Sequence, residues 1–184
     1  GSVNRNIGTI TLNNTEENGS LTLENDTRIS NEGNVNITVD DRFIVNNSTI
    51  KTEIRDAEDD LGNIVISAGE LQLINGGVID TATFGQGDAG DVTANISRQV
   101  SLEDNSQIDT ETFGEGDAGT IIVSTPQLNI ESGASLTART NSNDGSGGTV
   151  SINADTINLS DSGTGIFAET NSSSRGGNIF LQPN

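Results

Sequence analysis

A glycine followed by alternating apolar residues recurs along this chain at intervals of 28 or 29 residues. A Val or Ile stands two residues after each of these glycines, which are Gly33, Gly62, Gly90, Gly119, Gly148 and Gly177. A fixed period of this length is typical of a stacked repeat protein, in which each repeat contacts only its neighbours. The period therefore constrains the fold before any single residue is considered, and it directs the search for function toward arrays of equivalent positions.

Each repeat contains three short segments in which apolar and polar residues alternate, as they do in half-buried β-strands. The repeat that begins at Gly62 has its inward positions at Ile64 and Ile66, Leu71 and Leu73, and Ile79, Thr81 and Thr83. The bends between segments are too short for a crossover, so each strand must pair with its counterpart one repeat away. The sequence therefore predicts an all-β fold, a parallel β-helix with three short strands and about 29 residues per coil.

The predicted organisation is a single solenoid domain. Residues 1–32 comprise Gly1 and Ser2, which resemble a scar of tag removal, and an atypical first coil. Residues 33–184 hold five full coils of 28–29 residues and a partial last coil. Because natural solenoids cap their terminal repeats, we expect a fragment of a larger protein, with unpaired edges at Phe180 and Leu181 and a tendency to end-to-end self-association.

Composition and charge exclude several partners and reactions. The 27 acidic and 8 basic residues give a net charge of −19, which repels nucleic acid and anionic lipid. The chain contains no run of about 18 apolar residues, so membrane insertion is not expected. It has no Cys for disulfides or thiolate ligands, and no His, Tyr or Trp for general-base catalysis or sugar stacking.

The longest connection follows the third segment and carries the most distinctive motif. It reads Phe-Gly-x-Gly-Asp-Ala-Gly at residues 84–90 and again at 113–119, and the same slot holds residues 56–61, 141–147 and 171–176 in other coils. Glycine-rich loops with Asp can bind calcium in β-helices, but one recurring acid per coil, Asp88 or Asp117, is a short ligand set. We therefore favour a tight turn, with Phe84 and Phe113 plugging the corner beneath it, and assign no metal or cofactor site.

Alternation within the third segment assigns side chains to the two faces of the sheet. Ile79 and Ile108 are expected to point inward, so the Thr-x-Thr pairs after them point inward too. This parity argues against an outward ice-binding array and for an internal ladder of β-branched residues.

The outward positions of the same segment form columns of charged residues. Lys51 precedes Asp80 and Asp109 in one column, and Glu111, Arg139 and Glu169 follow one another in the next. Exposed ion pairs contribute little, so we interpret these columns as aids to register rather than as a site. Of the five Phe residues, only Phe167 is assigned to the outer face.

No catalytic residue is predicted. Many β-helices cleave acidic polysaccharides with clustered carboxylates, and the acid pairs here are residues 40–41 and 59–60. Those pairs lie in different turns, and adjacent residues of a strand point to opposite faces. We therefore expect a protein that is not an enzyme, with a polysaccharide-binding or polysaccharide-degrading β-helix as the alternative.

The repeat text resembles that of filamentous-haemagglutinin-like exoproteins exported by two-partner secretion, in particular cyanobacterial ones. The resemblance covers about residues 33–182 and is strongest over 62–119, where the string Thr-Phe-Gly-x-Gly-Asp-Ala-Gly stands. It implies a right-handed parallel β-helix, an outer-membrane transporter as export partner, and a secreted or bacterial cell-surface location. It also implies a surface rod or adhesin whose receptor is a glycan or protein, and it implies no catalytic residue.

One departure from that family bears on which part of such a protein this stretch resembles. The family's secretion domain carries an Asn-Pro-Asn-Gly motif, whereas the only prolines here are Pro126 and Pro183. The stretch is therefore similar to the shaft rather than to the secretion signal. The expected function is a non-catalytic shaft segment that extends and presents other domains, with weak lateral adhesion.

Overall fold

The computed structural model describes residues 8–55, 62–141, 145–171 and 173–183. Within these ranges the regular structure consists of strands, and their bounds are β1 Ile10–Asn14, β2 Leu21–Leu23, β3 Arg28–Asn31, β4 Val35–Val39, β5 Arg42–Asn46, β6 Thr49–Ile54, β7 Ile64–Ile74, β8 Val78–Thr83, β9 Val92–Leu102, β10 Gln107–Thr112, β11 Thr120–Ser124, β12 Gln127–Ile130, β13 Ser135–Thr140, β14 Thr149–Asn153, β15 Thr156–Leu159, β16 Gly165–Thr170 and β17 Asn178–Gln182. The predictions for Gly1, Ser2 and residues 56–61 fall outside the described residues. In the described part of the chain no helix is long and apolar enough to cross a membrane.

All strand pairs in the described chain are parallel, and each strand pairs with its counterpart in the next coil. The first sheet runs β1-β4-β7-β9-β11-β14-β17. In the same sheet β2 pairs with β5, which pairs with β7, and β15 pairs with β12, which pairs with β9. The second sheet runs β3-β6-β8-β10-β13-β16. The predicted parallel β-helix is confirmed, with about six turns of roughly 29 residues.

The first two segments of a coil are less separate than the sequence predicts. They merge into one 11-residue strand in β7 and again in β9, so the three segments of a coil form two sheets. A bulge between Ala68 and Glu70 carries the ladder around that corner. At the equivalent corner of the other coils the two strands are separate, and one of these corners holds Pro126, which has no N–H to donate to a ladder.

The core is a continuous column of aliphatic side chains. Equivalent inward positions of the first sheet are completely buried in five successive coils, at Val35, Ile64, Val92, Ile121 and Val150. One cluster of buried residues extends from Leu23 to Ala154. Because each apolar side chain stacks on its equivalent one coil away, a chain with a low apolar content still removes a continuous surface from water.

The recurring glycines mark the place where successive coils approach each other most closely. A Cβ built on Gly90 would lie 2.4 Å from the carbonyl oxygen of Gly62, and one on Gly119 would lie 2.1 Å from that of Gly90. The same contact recurs at Gly148 and Gly177, at 2.0 Å and 1.9 Å from the carbonyl oxygens of the preceding glycines. A side chain at these positions would push the coils apart, which explains the fixed period of the glycine column.

The predicted inward Thr ladder is confirmed, and its hydroxyl groups hydrogen-bond to backbone carbonyl oxygens. Thr81 and Thr110 are completely buried, and their Oγ1 atoms donate to the carbonyl oxygens of Gly90 at 2.6 Å and Gly119 at 3.1 Å. Thr52 makes the same contact with Gly62. Each inward Thr therefore ties the third strand of its coil to the glycine at which the next coil begins, and satisfies a buried carbonyl there.

The last strand, β17, exposes apolar side chains. On β17, Ile179 is 45% exposed and Leu181 is 56% exposed. This strand pairs with β14 on one side, and β1 at the opposite end pairs with β4. Association through these edges stays a prediction.

Replacing Thr81 by Val tests the role of the internal ladder. The substitution keeps the β-branched shape but removes the donor to the buried Gly90 carbonyl, so we expect a loss of about 1–3 kcal/mol in the free energy of unfolding measured by urea denaturation. The matched control is Thr22→Val on the exposed position of β2, where the change should stay within about 0.5 kcal/mol. Equal effects at the two positions would contradict the assigned role.

Candidate functional site

The outer face of the second sheet concentrates the positive charge of this acidic chain. Four of the eight basic residues, Arg28, Lys51, Arg55 and Arg139, lie on this face or at its edge. Arg28 and Arg55 line a polar cavity of about 460 Å³ together with Ser30, Glu32 and Glu53. No other surface of the described chain carries as many basic side chains. This face is therefore the candidate functional site.

The charged columns predicted for this face are formed by in-register strands. Lys51 on β6 places its Nζ 3.1 Å from Glu53 Oε2 and 3.1 Å from Asp80 Oδ2. Arg139 on β13 forms an ion pair with Glu111 on β10 and lies 3.7 Å from Glu169 on β16. The pair within β6 aside, these ion pairs link successive coils across the strands, which agrees with a role in register.

Two aspartates of these columns are far more buried than an outward position suggests. Asp80 and Asp109 are directly paired in β8 and β10, and Asp109 is only 8% exposed. The Oδ1 atom of each carboxyl group is buried and has no hydrogen-bond partner. Burial raises the pKa of Asp109 to about 7, and the charges of Glu111 and Asp80 add to the shift. Burial also raises the pKa of Asp80, although Lys51 opposes the shift.

The expectation that this outward column is exposed is therefore wrong at Asp109, and the outward Ala82 of the neighbouring column is also buried, at 3% exposure. Asp109 lies between Asp80 and Thr137 of the adjacent strands, and Ala82 lies between Glu53 and Glu111. Alternation predicts which way a side chain points, but it does not predict how far its neighbours cover it.

Phe84 and Phe113 form a stacked pair, with ring centroids 4.8 Å apart and planes inclined by 5°. Their predicted place beneath the corner is wrong, because they are 45% and 44% exposed. The prediction that Phe167 alone points outward is also wrong, although Phe167 itself is exposed. Strand alternation continues one residue beyond Thr83, and this turns Phe84 to the outer face.

The Phe84 ring makes both an aromatic contact and cation–π contacts within the protein. One face of Phe84 stacks on Phe113, and Lys51 Nζ and Arg55 Cζ lie 5.8 Å and 5.7 Å from the centroid of Phe84. The arrangement combines ring stacking with cation–π contacts between coils. We therefore interpret the pair as a contact that holds three successive coils together.

The glycine-rich loops are joined by their recurring aspartates. Asp88 Oδ1 accepts a hydrogen bond of 2.8 Å from the amide of Asp117, and Asp117 Oδ1 accepts one of 2.6 Å from the amide of Ser146. Each carboxylate thus binds the backbone of the next loop, which supports the tight-turn interpretation. In the described residues no group of three or more acidic side chains is arranged to hold a metal ion.

The structure separates the acid pair at residues 40–41 and leaves residues 59–60 undescribed. Asp40 Oδ2 accepts a hydrogen bond of 2.8 Å from the amide of Asn18, whereas Asp41 forms an ion pair with Arg98. The two carboxylates therefore serve different structural contacts and do not face a common reaction centre.

A second charged cluster lies on the first sheet and was missed from the sequence. Arg42 Nε lies 2.7 Å from Glu70 Oε2, and Arg98 Nε lies 3.3 Å from Glu70 Oε1. The cluster borders a cavity of about 360 Å³ that Gln72 and Glu103 also line. Arg42, Glu70 and Arg98 are spaced by 28 residues, so phasing by the repeat period was the signal that could have found them.

Comparison with known proteins identified no relative: no family model, no curated protein and no solved structure matches this chain.

A double-mutant cycle on Phe84 and Phe113 tests whether the aromatic pair stabilises the stack. We expect Phe84→Ala and Phe113→Ala to be non-additive, with a coupling of about 0.5–1.5 kcal/mol in the free energy of unfolding. Thermal or urea unfolding of the two single variants and the double variant gives this value. Additive effects would show that the rings stand side by side without contributing to the contact between coils.

Proposed function

We propose that this chain is a non-catalytic shaft segment of a secreted or surface-attached bacterial exoprotein. Its task is to extend and to present other domains away from the cell. The observation that carries this proposal is the uninterrupted stacking of about six coils over one continuous core. The resemblance of the repeat text to filamentous-haemagglutinin-like exoproteins supports the same conclusion.

The contacts between coils suit a stiff spacer. Besides the backbone ladders, side-chain amides join successive coils, as in Asn75 to Asn46 at 2.9 Å and Asn158 to Asn129 at 2.8 Å. Bending the rod would have to open these hydrogen bonds on its outer side while compressing close-packed side chains on the inner side. A rod of this kind holds whatever it carries at a fixed distance.

Export and adhesion belong to the same proposal. By the resemblance, an outer-membrane transporter of the two-partner type is the export partner of the full-length protein. Weak lateral adhesion to a cell-surface glycan or protein receptor would use the outer face of the second sheet, where basic and acidic side chains alternate between coils. Such polar faces recognise partners through electrostatic complementarity.

A second candidate function is the binding of an acidic polysaccharide. The cavity that contains Arg28 and Arg55 favours it, because two guanidinium groups on neighbouring coils match the carboxylate groups of such a polymer. Calorimetric titration with acidic polysaccharides, combined with an assay for released products, separates the two candidates. Product release would contradict the non-catalytic shaft, and binding that is lost in the double variant Arg28→Ala/Arg55→Ala would establish the second function.

Distance measurements between spin labels test the rod directly. The chain has no native Cys, so labels can be placed at Thr11→Cys and Ser151→Cys, or at Asn36→Cys and Ser151→Cys. The first pair spans five steps of the ladder and the second spans four, so we expect backbone separations of about 24 Å and about 19 Å. Narrow distributions that differ by one step are the expected result, and broad overlapping ones would contradict a rigid spacer.

A further inference from the structure

The outer face around Ala82 holds one acidic group more than its cations can pair. Lys51 contacts Asp80 and Glu53, Arg55 contacts Glu53, and Arg139 contacts Glu111. Among the described residues, Asp109 is the acid of this group that forms no ion pair, although it is the most buried of them. A buried charge without a partner is strongly unfavourable, so this position calls for a further positive charge.

The geometry restricts what that positive charge can be. The Oδ1 atoms of Asp80 and Asp109 are inaccessible to solvent and have no hydrogen-bond partner. The two residues are paired in adjacent parallel strands, whose backbones are about 4.8 Å apart. A ligand of ordinary size would have to displace the surrounding side chains to reach these oxygens, whereas a proton requires no space.

The asparagine ladders of the same protein show what the aspartate pair lacks. Asn75 donates an amide hydrogen to Asn46, Asn158 donates one to Asn129, and Asn171 donates one to Asn141, each pair lying in successive coils at 2.8–3.1 Å. Two carboxylates in the same arrangement have four acceptor oxygens and no hydrogen between them. One added proton would turn the repulsive pair into an equivalent hydrogen-bonded rung.

We propose that Asp80 and Asp109 share one proton, as a carboxylic acid on Asp109 that donates to the carboxylate of Asp80, and that loss of this proton to solvent weakens the contact between their coils. Lys51 on β6 keeps Asp80 as the anionic partner. Glu111 on the same strand β10 and Asp80 on β8 oppose ionisation of Asp109, and Glu53 on β6 opposes that of Asp80. On β13, Thr137 and Arg139 favour the ionised form of Asp109, but Arg139 is engaged by Glu111. The contact between Asp80 and Asp109 then depends on pH, whereas the asparagine contacts between coils contain no titratable group.

The direction of the pH effect follows from the raised pKa of Asp109. Its value rises from about 3.9 in an unfolded chain to about 7 in the folded protein. A group with a raised folded pKa stabilises the fold below its unfolded pKa, and this stabilisation is lost as the pH rises through the folded value. The folded protein is therefore expected to be more stable below neutral pH than above it.

Thermal unfolding at about pH 5.5 and about pH 8.5 tests the proposal, because this pH range lies on both sides of the raised pKa of Asp109. The chain has no His, so no other side chain of ordinary pKa titrates between these values. We expect the Tm of the unmodified chain to fall by about 4 °C or more on going to the higher pH, and that of Asp109→Asn to stay nearly constant, because the amide supplies the missing hydrogen permanently. An equal fall in both proteins would overturn the proposal.

Asp155→Asn is the matched control, because Asp155 is exposed and its replacement removes the same charge. It should follow the unmodified chain at both pH values. Carbon-13 NMR titration of the Asp carboxyl groups in the unmodified chain gives a second measurement, which holds even if a variant does not fold. One carboxyl group titrating near neutrality, and lost in Asp109→Asn, is the expected result, whereas ordinary titration of every Asp would overturn the proposal.

Calcium addition and chelation at the higher pH distinguish a proton from a metal ion. We expect neither to change the Tm of the unmodified chain. A rise in Tm with calcium that chelator reverses, and that Asp109→Asn abolishes, would show that the pair binds a cation and would contradict the shared proton.

Discussion

Parallel hydrogen bonding between successive coils is the interaction on which the rest of this structure depends. Each strand in the described part of the chain pairs with strands of the neighbouring coils and not within its own coil, so its backbone donors and acceptors are satisfied one period away. Every coil must therefore have nearly the same length, and every turn must bring the chain back to the same place. The glycine column meets this requirement where carbonyl oxygens of one coil lie against the Cα of the next.

The same register that joins the backbones also places like side chains on one another. For Val and Ile this produces a continuous core, and for Asn it produces ladders of amide hydrogen bonds. For charged residues the outcome depends on sign, since Lys51 next to Asp80 is favourable and Asp80 next to Asp109 is not. The strength of the stack and the unsatisfied pair of Asp80 and Asp109 thus have the same physical origin.

Much of the fold could be predicted from the periodicity, because residues one period apart are paired in successive coils. The inward Thr81 and the paired Glu111 and Arg139 were predicted by combining the period with strand alternation. Burial on the outer face was not predictable in this way, since alternation gives the direction of a side chain such as Asp109 and not how far its neighbours cover it. Phe84 lies on the outer face because strand alternation continues one residue past Thr83 into the loop, which the turn motif does not indicate.

Removal of one complete coil tests most directly the claim that in-register stacking holds this protein together. Deleting residues 91–119 joins Gly90 to Thr120 and lets β8 pair with β13 in the same register as before. Circular dichroism and urea unfolding should then show a cooperatively folded β-protein, whereas deletion of residues 91–104, about half a coil, should abolish the fold. Loss of structure in both variants, or its retention in both, would contradict the account.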